Sequence, residues 1–558
     1  MVAPLRLLIA AACAPLAAFA AVSPNASLTA DQAAARFLSQ ATFGPTAESI
    51  AEFRPYAGSI ETWIDREAAK PLTRVQDVLN AARSAGNFTT ADRAINRRAR
   101  VQVMLTANDQ LRQRVAYALS QILVISDNDS AVQNGWDGPA DYWDMLARNA
   151  LGNFRTLLTD VTRHPMMGRY LTHYRNRKGD PALGTQPDEN YAREVMQLFT
   201  IGLYQLNLDG SVATDSAGRP IENYTNDTIT QLAKVFTGFT DASTNNTGTG
   251  TGRQDFPTAA QDYTSPMRMW EPQHDTTAKT LLSYPGVRKA TLPAGQAGLQ
   301  DVTDALDNLF EHPSTPPFIS RLLIQRLVSS NPSPDYIRRV ATVFVNNGRG
   351  VRGDLLAVVK AILLDPEARS LASITNPQHG KLREPFLRVT HVLRAFKFTA
   401  TPSSTITFIP YELGFSENVM GQFPLGAPTV FNFYLPDYEP PGPIQAAGLV
   451  GPEYQILNAV FGISLPNTLN TLITSGTGTF RLNLADQEAL AGNVDALLDN
   501  LNLLLTHGMM SAESRTAIRT AVSGITAAMV PANSNLNQQR ARLALYLTLM
   551  SPDYAVLK

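Results

Sequence analysis

Hydrophobic residues along this chain recur mostly every three to four positions, and sustained alternation of polar and apolar residues is almost absent. The strongest pattern follows Asn108, a predicted N-cap, where Leu111, Val115, Leu119 and Ile122 fall on one helical face. Similar patterns predict further helices near residues 29–41, 59–64, 142–158, 188–201, 226–237, 301–310, 317–328, 334–344, 354–364, 384–396 and 543–550. We therefore predict a mainly α fold, a large multi-helix body with long irregular loops.

Residues 163–202 combine two histidines, His164 and His173, with a well-defined amphipathic helix. With Asp188 as the N-cap, the polar side chains of this helix share about 140° of arc. These polar residues are Glu189, Asn190, Arg193, Glu194 and Gln197. Apolar residues occupy the opposite side, and Gly202 follows as a predicted helix stop.

Four segments depart from the simple helical pattern. Residues 241–252 form a low-complexity polar stretch that we predict to be a surface loop. Residues 270–282 are predicted as a loop that turns into a helix, and residues 405–409 as a short strand. Residues 421–443 form an aromatic, proline-rich loop.

The first twenty residues have the features of a signal peptide. Arg6 precedes an apolar run over residues 7–19, and residues 18–20 (AFA) match the small-x-small pattern of a cleavage site. We therefore predict export to the periplasm or the medium. Cys13 is the only cysteine and lies in this segment, so the exported part would carry no disulfide or thiolate ligand. Lipidation of Cys13 is an alternative, weakened because Ala10 stands where leucine is preferred.

The charges are balanced, with 47 basic and 48 acidic residues and a formal net charge of −1. This balance argues against a nucleic-acid partner. No other stretch reaches the roughly 20 apolar residues of a membrane span, so we predict no transmembrane segment in the mature chain. Local basic clusters, including Arg98 and Arg100, are interpreted as solvated faces, and His391 as a surface or boundary residue.

Seven segments match one family in the family's own order and span nearly the whole mature chain. They are residues 35–44 (ARFLSQATFG), 164–167 (HPMM), 189–202 (ENYAREVMQLFTIG), 236–238 (FTG), 274–279 (HDTTAK), 421–424 (GQFP) and 551–552 (SP). The chain thereby resembles the bacterial domain of unknown function 1800 family. It departs from the usual pattern at Gln197, where the family commonly has glutamate, and at Tyr191, where phenylalanine is usual.

The resemblance implies one large helical domain over residues 28–558, following a signal peptide at residues 1–20. Residues 445–558 are a candidate C-terminal helical subregion within that domain. Family members are typically exported, and many are encoded beside a second exported family related to sulfatases. An exported sulfatase-like protein is therefore the partner that the resemblance implies.

The candidate site joins two of the matching segments. His164, Glu194 and His274 are the candidate ligands of a divalent metal ion, since imidazole and carboxylate suit zinc, iron or manganese where no thiolate is present. The candidate catalytic residues are Glu194, Arg193 and Asp275. The identity of the metal, and whether the protein is an enzyme, stay open.

A purely structural role explains the same residues. Glu189 and Arg193 have the i,i+4 spacing of a helix-stabilising pair, and His164-Pro165 has the pattern of a helix start. Glu189 and Glu194 lie about 140° apart around the helix, so one ion would take only one of them. His379 is a weaker candidate for a second site with Glu384.

The sequence leaves three functional hypotheses, because HExxH, P-loop and GxSxG signatures are all absent. The first is a metal-assisted hydrolase or oxidoreductase that works in a polar His/Glu/Arg cleft. The second is a non-enzymatic scaffold or partner of another exported protein. The third is a carbohydrate-binding protein that uses an aromatic platform in residues 421–443, formed by Phe431, Phe433, Tyr434 and Tyr438.

Overall fold

Helices dominate the computed structural model, which confirms the mainly α prediction. It describes residues 28–133, 135–242, 256–257, 261–401, 411, 417–476, 480–530, 532 and 535–558. The signal peptide at 1–20, the strand at 405–409 and most of the polar loop at 241–252 lie outside the described residues. None of the helices described is long and apolar enough to span a bilayer.

The helices and strands follow one another with short connections in most of the chain. The α-helices are α1 Ala30–Ala41, α2 Ala47–Phe53, α3 Ile60–Ala68, α4 Val75–Ser84, α5 Arg93–Thr106, α6 Gln110–Ser120, α7 Ser130–Gln133, α8 Gly138–Asn149, α9 Phe154–Arg163, α10 Pro165–Tyr170, α11 Asn190–Gln197, α12 Asn226–Val235, α13 Gly298–Glu311, α14 Thr315–Leu327, α15 Pro334–Val345, α16 Leu355–Leu364, α17 Pro366–Arg369, α18 Leu371–Thr375, α19 Pro385–Ala395, α20 Glu417–Met420, α21 Pro443–Ala446, α22 Ala459–Thr474, α23 Ala485–Leu490, α24 Val494–Thr506, α25 Ala512–Ser523, α26 Leu536–Met550 and α27 Pro552–Ala555. The strands are β1 Phe239–Thr240, β2 Arg268–Met269, β3 Lys279–Thr280, β4 Thr291–Leu292, β5 Lys381–Leu382, β6 Lys397–Ala400, β7 Phe480–Asn483 and β8 Val556–Leu557.

The described strands pair only in antiparallel two-stranded ribbons, β1–β2, β3–β4, β5–β8 and β6–β7. The β5–β8 ribbon sets Lys381 opposite Leu557 and Leu382 opposite Val556. It thereby fixes the last described strand against the middle of the chain. One cluster of buried apolar side chains runs from Ala34 in α1 to Tyr554 in α27, so the helices share a continuous core.

Local capping signals set several helix starts as predicted. Helix α1 begins with the expected capping box, in which Thr29 and Gln32 each bond the other's backbone N–H. One predicted cap is wrong by one residue, because Asp109 rather than Asn108 precedes α6. Thr225, which forms a capping box with Thr228, precedes α12.

Three other sequence-based expectations are wrong. Residues 270–282 do not turn into a helix, because Lys279–Thr280 pairs as a strand with Thr291–Leu292. Arg100 is fully buried and bonds Asp127, 2.6 Å from Nη2 to Oδ2, so its cluster is not a solvated face. His391 is also buried, and its Nε2 donates to the Leu504 carbonyl at 3.0 Å. In each case a distant segment covers a polar side chain that the local pattern placed outside.

Candidate functional site

Helix α11, Asn190–Gln197, carries the centre of the candidate site. Glu189 occupies its N-cap, one residue later than predicted, and Asp188 instead accepts the backbone N–H of Asn190 at 2.9 Å. The helix ends at Gln197, and Gly202 follows at φ +73° and bonds back to the Met196 carbonyl. Its apolar face is buried as expected, which holds the helix firmly in the core.

Glu194 is the unusual group on this helix. Its side chain is buried, with the residue only 6% exposed, and its Oε2 atom has no hydrogen-bond partner among the described residues. Burial raises the pKa of Glu194 to about 7, and the neighbouring Arg193 charge offsets part of that effect. A carboxyl group with this pKa exists in both protonation states at neutral pH.

Two tyrosines from neighbouring segments lie in the field of Glu194. Burial raises the pKa of Tyr170, at the end of α10, and the charges of Asp129 and Glu194 raise it further. Burial likewise raises the pKa of Tyr224, just before α12, to about 12, and Glu194 is the next cause. Both phenols therefore keep their protons and remain O–H donors near the carboxyl group. The sequence pattern did not single out either tyrosine.

Arg193 and Glu189 form the predicted i,i+4 pair, with 3.5 Å between Nη2 and Oε2. Their side chains are 41% and 39% exposed. Glu189 also accepts a hydrogen bond from Thr230 on α12 at 2.8 Å, which ties α11 to its neighbour. The pair lies at the surface beside Glu194, so Arg193 presents its positive charge at the outer side of the buried carboxyl.

His164 occupies the N-cap of α10, as the His-Pro pattern indicated. Its Nδ1 accepts the Met166 N–H at 3.1 Å, so Nε2 carries the proton and faces Asp141 Oδ2 at 3.2 Å. Burial lowers the pKa of His164, which keeps the ring neutral, and Tyr142 packs edge-on against it. Both ring nitrogens are therefore engaged in hydrogen bonds.

His274 lies in a different buried network. Its Nδ1 donates to the Thr237 carbonyl at 3.0 Å, and its Nε2 lies 3.1 Å from Asp301 Oδ2. The same carboxylate oxygen accepts from Lys279 Nζ at 2.6 Å. Asp275 accepts from the Thr277 N–H at 2.8 Å, so its carboxylate builds a turn. The network ties the loop before β3 to α13.

The five candidate residues thus fall into separate groups. Arg193 and Glu194 are neighbours on α11, whereas His164 bonds Asp141 and His274 bonds Asp301. Within the described part of the chain, no group of three or more His, Cys, Asp or Glu side chains is placed to hold a metal ion. Because both histidines have each ring nitrogen engaged, the donor set does not fit a metal ion in this conformation.

The family model described as "Protein of unknown function (DUF1800)" matches residues 36–556, nearly the whole chain. The chain belongs to the DUF1800 family. No curated protein and no solved structure matches it. The site geometry must therefore carry the functional argument for this DUF1800 protein.

The two departures from the usual DUF1800 pattern have clear hydrogen-bond partners. The Tyr191 hydroxyl pairs with Thr162 Oγ1 at 2.7 Å, and its ring stacks on His173 with 3.9 Å between centroids. Burial lowers the pKa of His173 to about 4, so this stacked ring is neutral. Gln197 accepts from the Tyr224 hydroxyl at 3.2 Å, which connects α11 to the segment that supplies this phenol.

The aromatic residue proposed for carbohydrate binding is not on the surface. Tyr434 is 1% exposed, its hydroxyl donates to Gln121 at 2.7 Å, and Arg326 lies 4.5 Å from its ring centroid. That role for Tyr434 is therefore wrong, because no sugar can reach its face. Glu384 belongs to the same interior, where it accepts from Tyr117, among other donors.

A cleft of about 400 Å³ opens elsewhere on the surface and was not predicted. His379 lies in it with Nε2 buried and without a partner among the described residues, and Ser333, Glu367 and Asn376 also line it. Glu367 is already bonded to Ser333, so the lining offers mainly uncharged donors and acceptors. Such a lining suits a neutral polar ligand. Of the residues that line the cleft, His379 was a candidate for a second site, but Glu384, its suggested partner, is not in the lining. Nothing in the local sequence pattern joins these segments.

Proposed function

We propose that this DUF1800 protein is an exported hydrolase that uses Glu194 as its general acid–base group. One observation supports this most strongly: the buried Oε2 of Glu194 has no partner among the described residues, and the pKa of the carboxyl is raised to about 7. An unpartnered buried carboxyl oxygen costs stability. Such groups are concentrated where a reaction needs a shifted pKa.

The surroundings of Glu194 suit proton transfer. With a pKa of about 7, the carboxylate can take a proton from water, and the acid can return it to a leaving group. Tyr170 and Tyr224 both keep their O–H protons; Tyr170 can donate to a developing negative charge, whereas the Tyr224 hydroxyl donates to Gln197. Arg193 adds a positive charge at the solvent side, where an anionic transition state would be stabilised.

The proposal gives no step to a metal ion. The metal-assisted version needs His164 and His274 as ligands beside Glu194, and both rings would first have to leave Asp141 and Asp301. Hydrolysis needs only water as co-substrate, which suits the export that residues 1–20 predict.

Replacement of Glu194 by glutamine tests the acid–base role directly. The purified mature protein is assayed against 4-nitrophenyl esters, glycosides, phosphate and sulfate. We expect hydrolysis of at least one class, and Glu194→Gln should lower kcat/KM by about 10²- to 10⁴-fold, since the amide cannot exchange a proton. The rate of the unmodified protein should change with pH around an inflection near 7.

The matched control is Asp227→Asn, which removes an exposed carboxylate from α12, the helix packed against α11. Its kcat/KM should stay within about twofold of the unmodified protein, as expected for a residue remote from the chemistry. The proposal fails if no substrate of the panel is hydrolysed, or if Glu194→Gln retains full activity.

A second candidate function is docking of an exported, sulfatase-like partner. Directly after α11, residues 203–222 fold into a small antiparallel meander with bridges Tyr204–Glu222 and Leu206–Val212. This meander exposes Leu203, Tyr204, Leu208 and Val212, at 38% to 48% of their surface. Clustered exposed apolar side chains are typical of protein-binding surfaces.

Val212→Ser tests this docking role against a closely matched control, Val351→Ser. Both valines are 43% exposed, but Val351 lies in the loop before α16. With the sulfatase-like neighbour co-expressed, Val212→Ser should weaken co-purification about fivefold or more, because apolar contact area is lost. Equal co-purification of both variants, or none by the unmodified protein, would rule out docking through the meander.

A further inference from the structure

A small, partly open cavity lies where α1, α6, α19 and the β5–β8 ribbon meet, far along the chain from α11. Its volume is about 20 Å³, enough for one particle of the size of a water molecule. The polar residues of its lining are Ser39, Thr42, Arg114, Lys381, Arg383 and His391. Three of these six carry a permanent positive charge, and none is acidic.

Arg114 is the group with unused hydrogen-bonding capacity. It is 1% exposed, and its Nη2 donates to the Arg326 carbonyl at 2.6 Å. Its Nε and Nη1 are buried and have no hydrogen-bond partner among the described residues. A buried guanidinium with unsatisfied N–H groups is costly unless an acceptor reaches it.

The charges around the cavity do not balance. The buried cations Arg114, Arg326, Lys381, Arg383 and Arg388 are accompanied by two buried carboxylates, those of Glu384 and Glu453. Lys381 lies 3.5 Å from Glu384 and 3.1 Å from Glu453, so both carboxylates are already shared with this lysine. The excess of positive charge favours an anion over a neutral water molecule.

The Glu384 carboxylate has little hydrogen-bonding capacity left for Arg114. Glu384 Oε2 accepts from Tyr117, Gln121 and Gln422 at 2.6–2.7 Å. Burial lowers the pKa of Arg383 to about 10, and the like charge of Arg388 contributes to that lowering. A counter-charge beside these guanidinium groups would therefore relieve both desolvation and mutual repulsion.

We propose that this cavity binds a monatomic anion, chloride in nature, held by the free N–H groups of Arg114 and the positive field of Lys381 and Arg383. The volume of about 20 Å³ suits a monatomic anion better than a phosphate or carboxylate group, which needs more room. The bound anion connects α1 to α6 and to the β5–β8 ribbon. It acts on stability and is independent of the reaction proposed at Glu194.

The test measures thermal unfolding of the purified mature protein at constant ionic strength, with sodium chloride exchanged for sodium gluconate. We expect Tm to rise by about 1–2 °C between 1 and 150 mM chloride, with the logarithmic dependence on ligand concentration of a site with millimolar affinity. Arg114→Gln should remove this dependence. Arg112→Gln, on the same helix but outside the cavity lining, should keep it.

Crystals of the unmodified protein soaked in bromide give a second readout that does not depend on any variant folding. An anomalous peak beside Arg114 Nε and Nη1 supports the site. The proposal is overturned if bromide gives no peak there and Tm is the same in chloride and gluconate. It is also overturned if Arg114→Gln keeps the chloride dependence of the unmodified protein.

Discussion

Asp301→Asn should destabilise the protein by about 3–5 kcal/mol, the usual cost of removing one partner from a buried ion pair. Asp301 is fully buried and supplies one carboxylate oxygen to both His274, at 3.1 Å, and Lys279, at 2.6 Å. The amide would leave the Lys279 ammonium in the interior without a counter-charge. The measurement is the midpoint of urea unfolding at pH 7, followed by circular dichroism.

The effect of Asp301→Asn should also depend on pH in a defined direction. Burial raises the pKa of Asp301, but hydrogen bonds from His274 and Lys279 outweigh it, so the net pKa is lowered. A carboxyl group with a lowered pKa stabilises the folded state at any pH above its pKa in the unfolded chain. This stabilisation is lost as pH falls through its pKa in the folded protein. The difference in the free energy of unfolding between the unmodified protein and Asp301→Asn should therefore persist down to about pH 4 and become smaller below it.

Asp307→Asn provides the control on the same helix, α13. Asp307 pairs with Arg155 at 2.6 Å, but its side chain is 51% exposed. Exposed pairs contribute little, so we expect a loss below about 1 kcal/mol. If both variants lose the same free energy of unfolding, the buried network around Asp301 contributes no more to stability than an exposed ion pair.

Glu194→Gln should have the opposite effect and stabilise the protein at alkaline pH. Burial raises the folded-state pKa of Glu194 to about 7, above its ordinary value of 4.5. A raised pKa contributes its full stability below pH 4.5, and this contribution is lost as pH rises through 7. Glutamine carries no charge to bury. The free energy of unfolding of the variant should therefore exceed that of the unmodified protein by about 2 kcal/mol at pH 8, after allowance for solvent screening.

Unfolding midpoints of both proteins, measured from pH 4.5 to pH 8, separate this effect from a general change in packing. The difference should be small at pH 4.5, grow as pH rises from 4.5 to 7 with half of the change at about pH 5.8, midway between the two pKa values, and level off above 7. Asp227→Asn should show no such growth, since its carboxylate is exposed. If the difference does not depend on pH, ionisation of Glu194 does not destabilise the folded protein. If Glu194→Gln is both more stable and inactive, Glu194 lowers the stability of the folded protein and is needed for its activity.

The candidate site was predicted in part. The amphipathic pattern correctly placed Arg193 and Glu194 together on α11, because side chains on one helix are positioned by local geometry. His164 at a helix start also followed from its neighbour Pro165. The tyrosines whose pKa values the Glu194 charge affects could not be predicted, since only the packing of α10 and of the segment before α12 brings Tyr170 and Tyr224 within range of that charge.

The histidines show the same limit. His274 was paired in the hypothesis with Glu194, but its partner is Asp301, 27 residues further along the chain. Nothing in the spacing of residues 274–301 indicates that contact, because the intervening β3–β4 ribbon brings the two together. Tyr434 was likewise placed by proline-rich context at the surface, whereas Gln121, on a distant segment, holds it in the interior.

By itself, the sequence determined the mainly α architecture, the capping box at Thr29 and the polar face of α11, all of which depend on residues within a few positions of one another. The tertiary structure alone decided which polar groups are buried. Arg100, Arg114 and Glu194 are buried because helices distant in sequence pack over them. Burial depends on such long-range contacts. It raises the pKa of Glu194, and it leaves the Nε and Nη1 groups of Arg114 without a hydrogen-bond partner among the described residues.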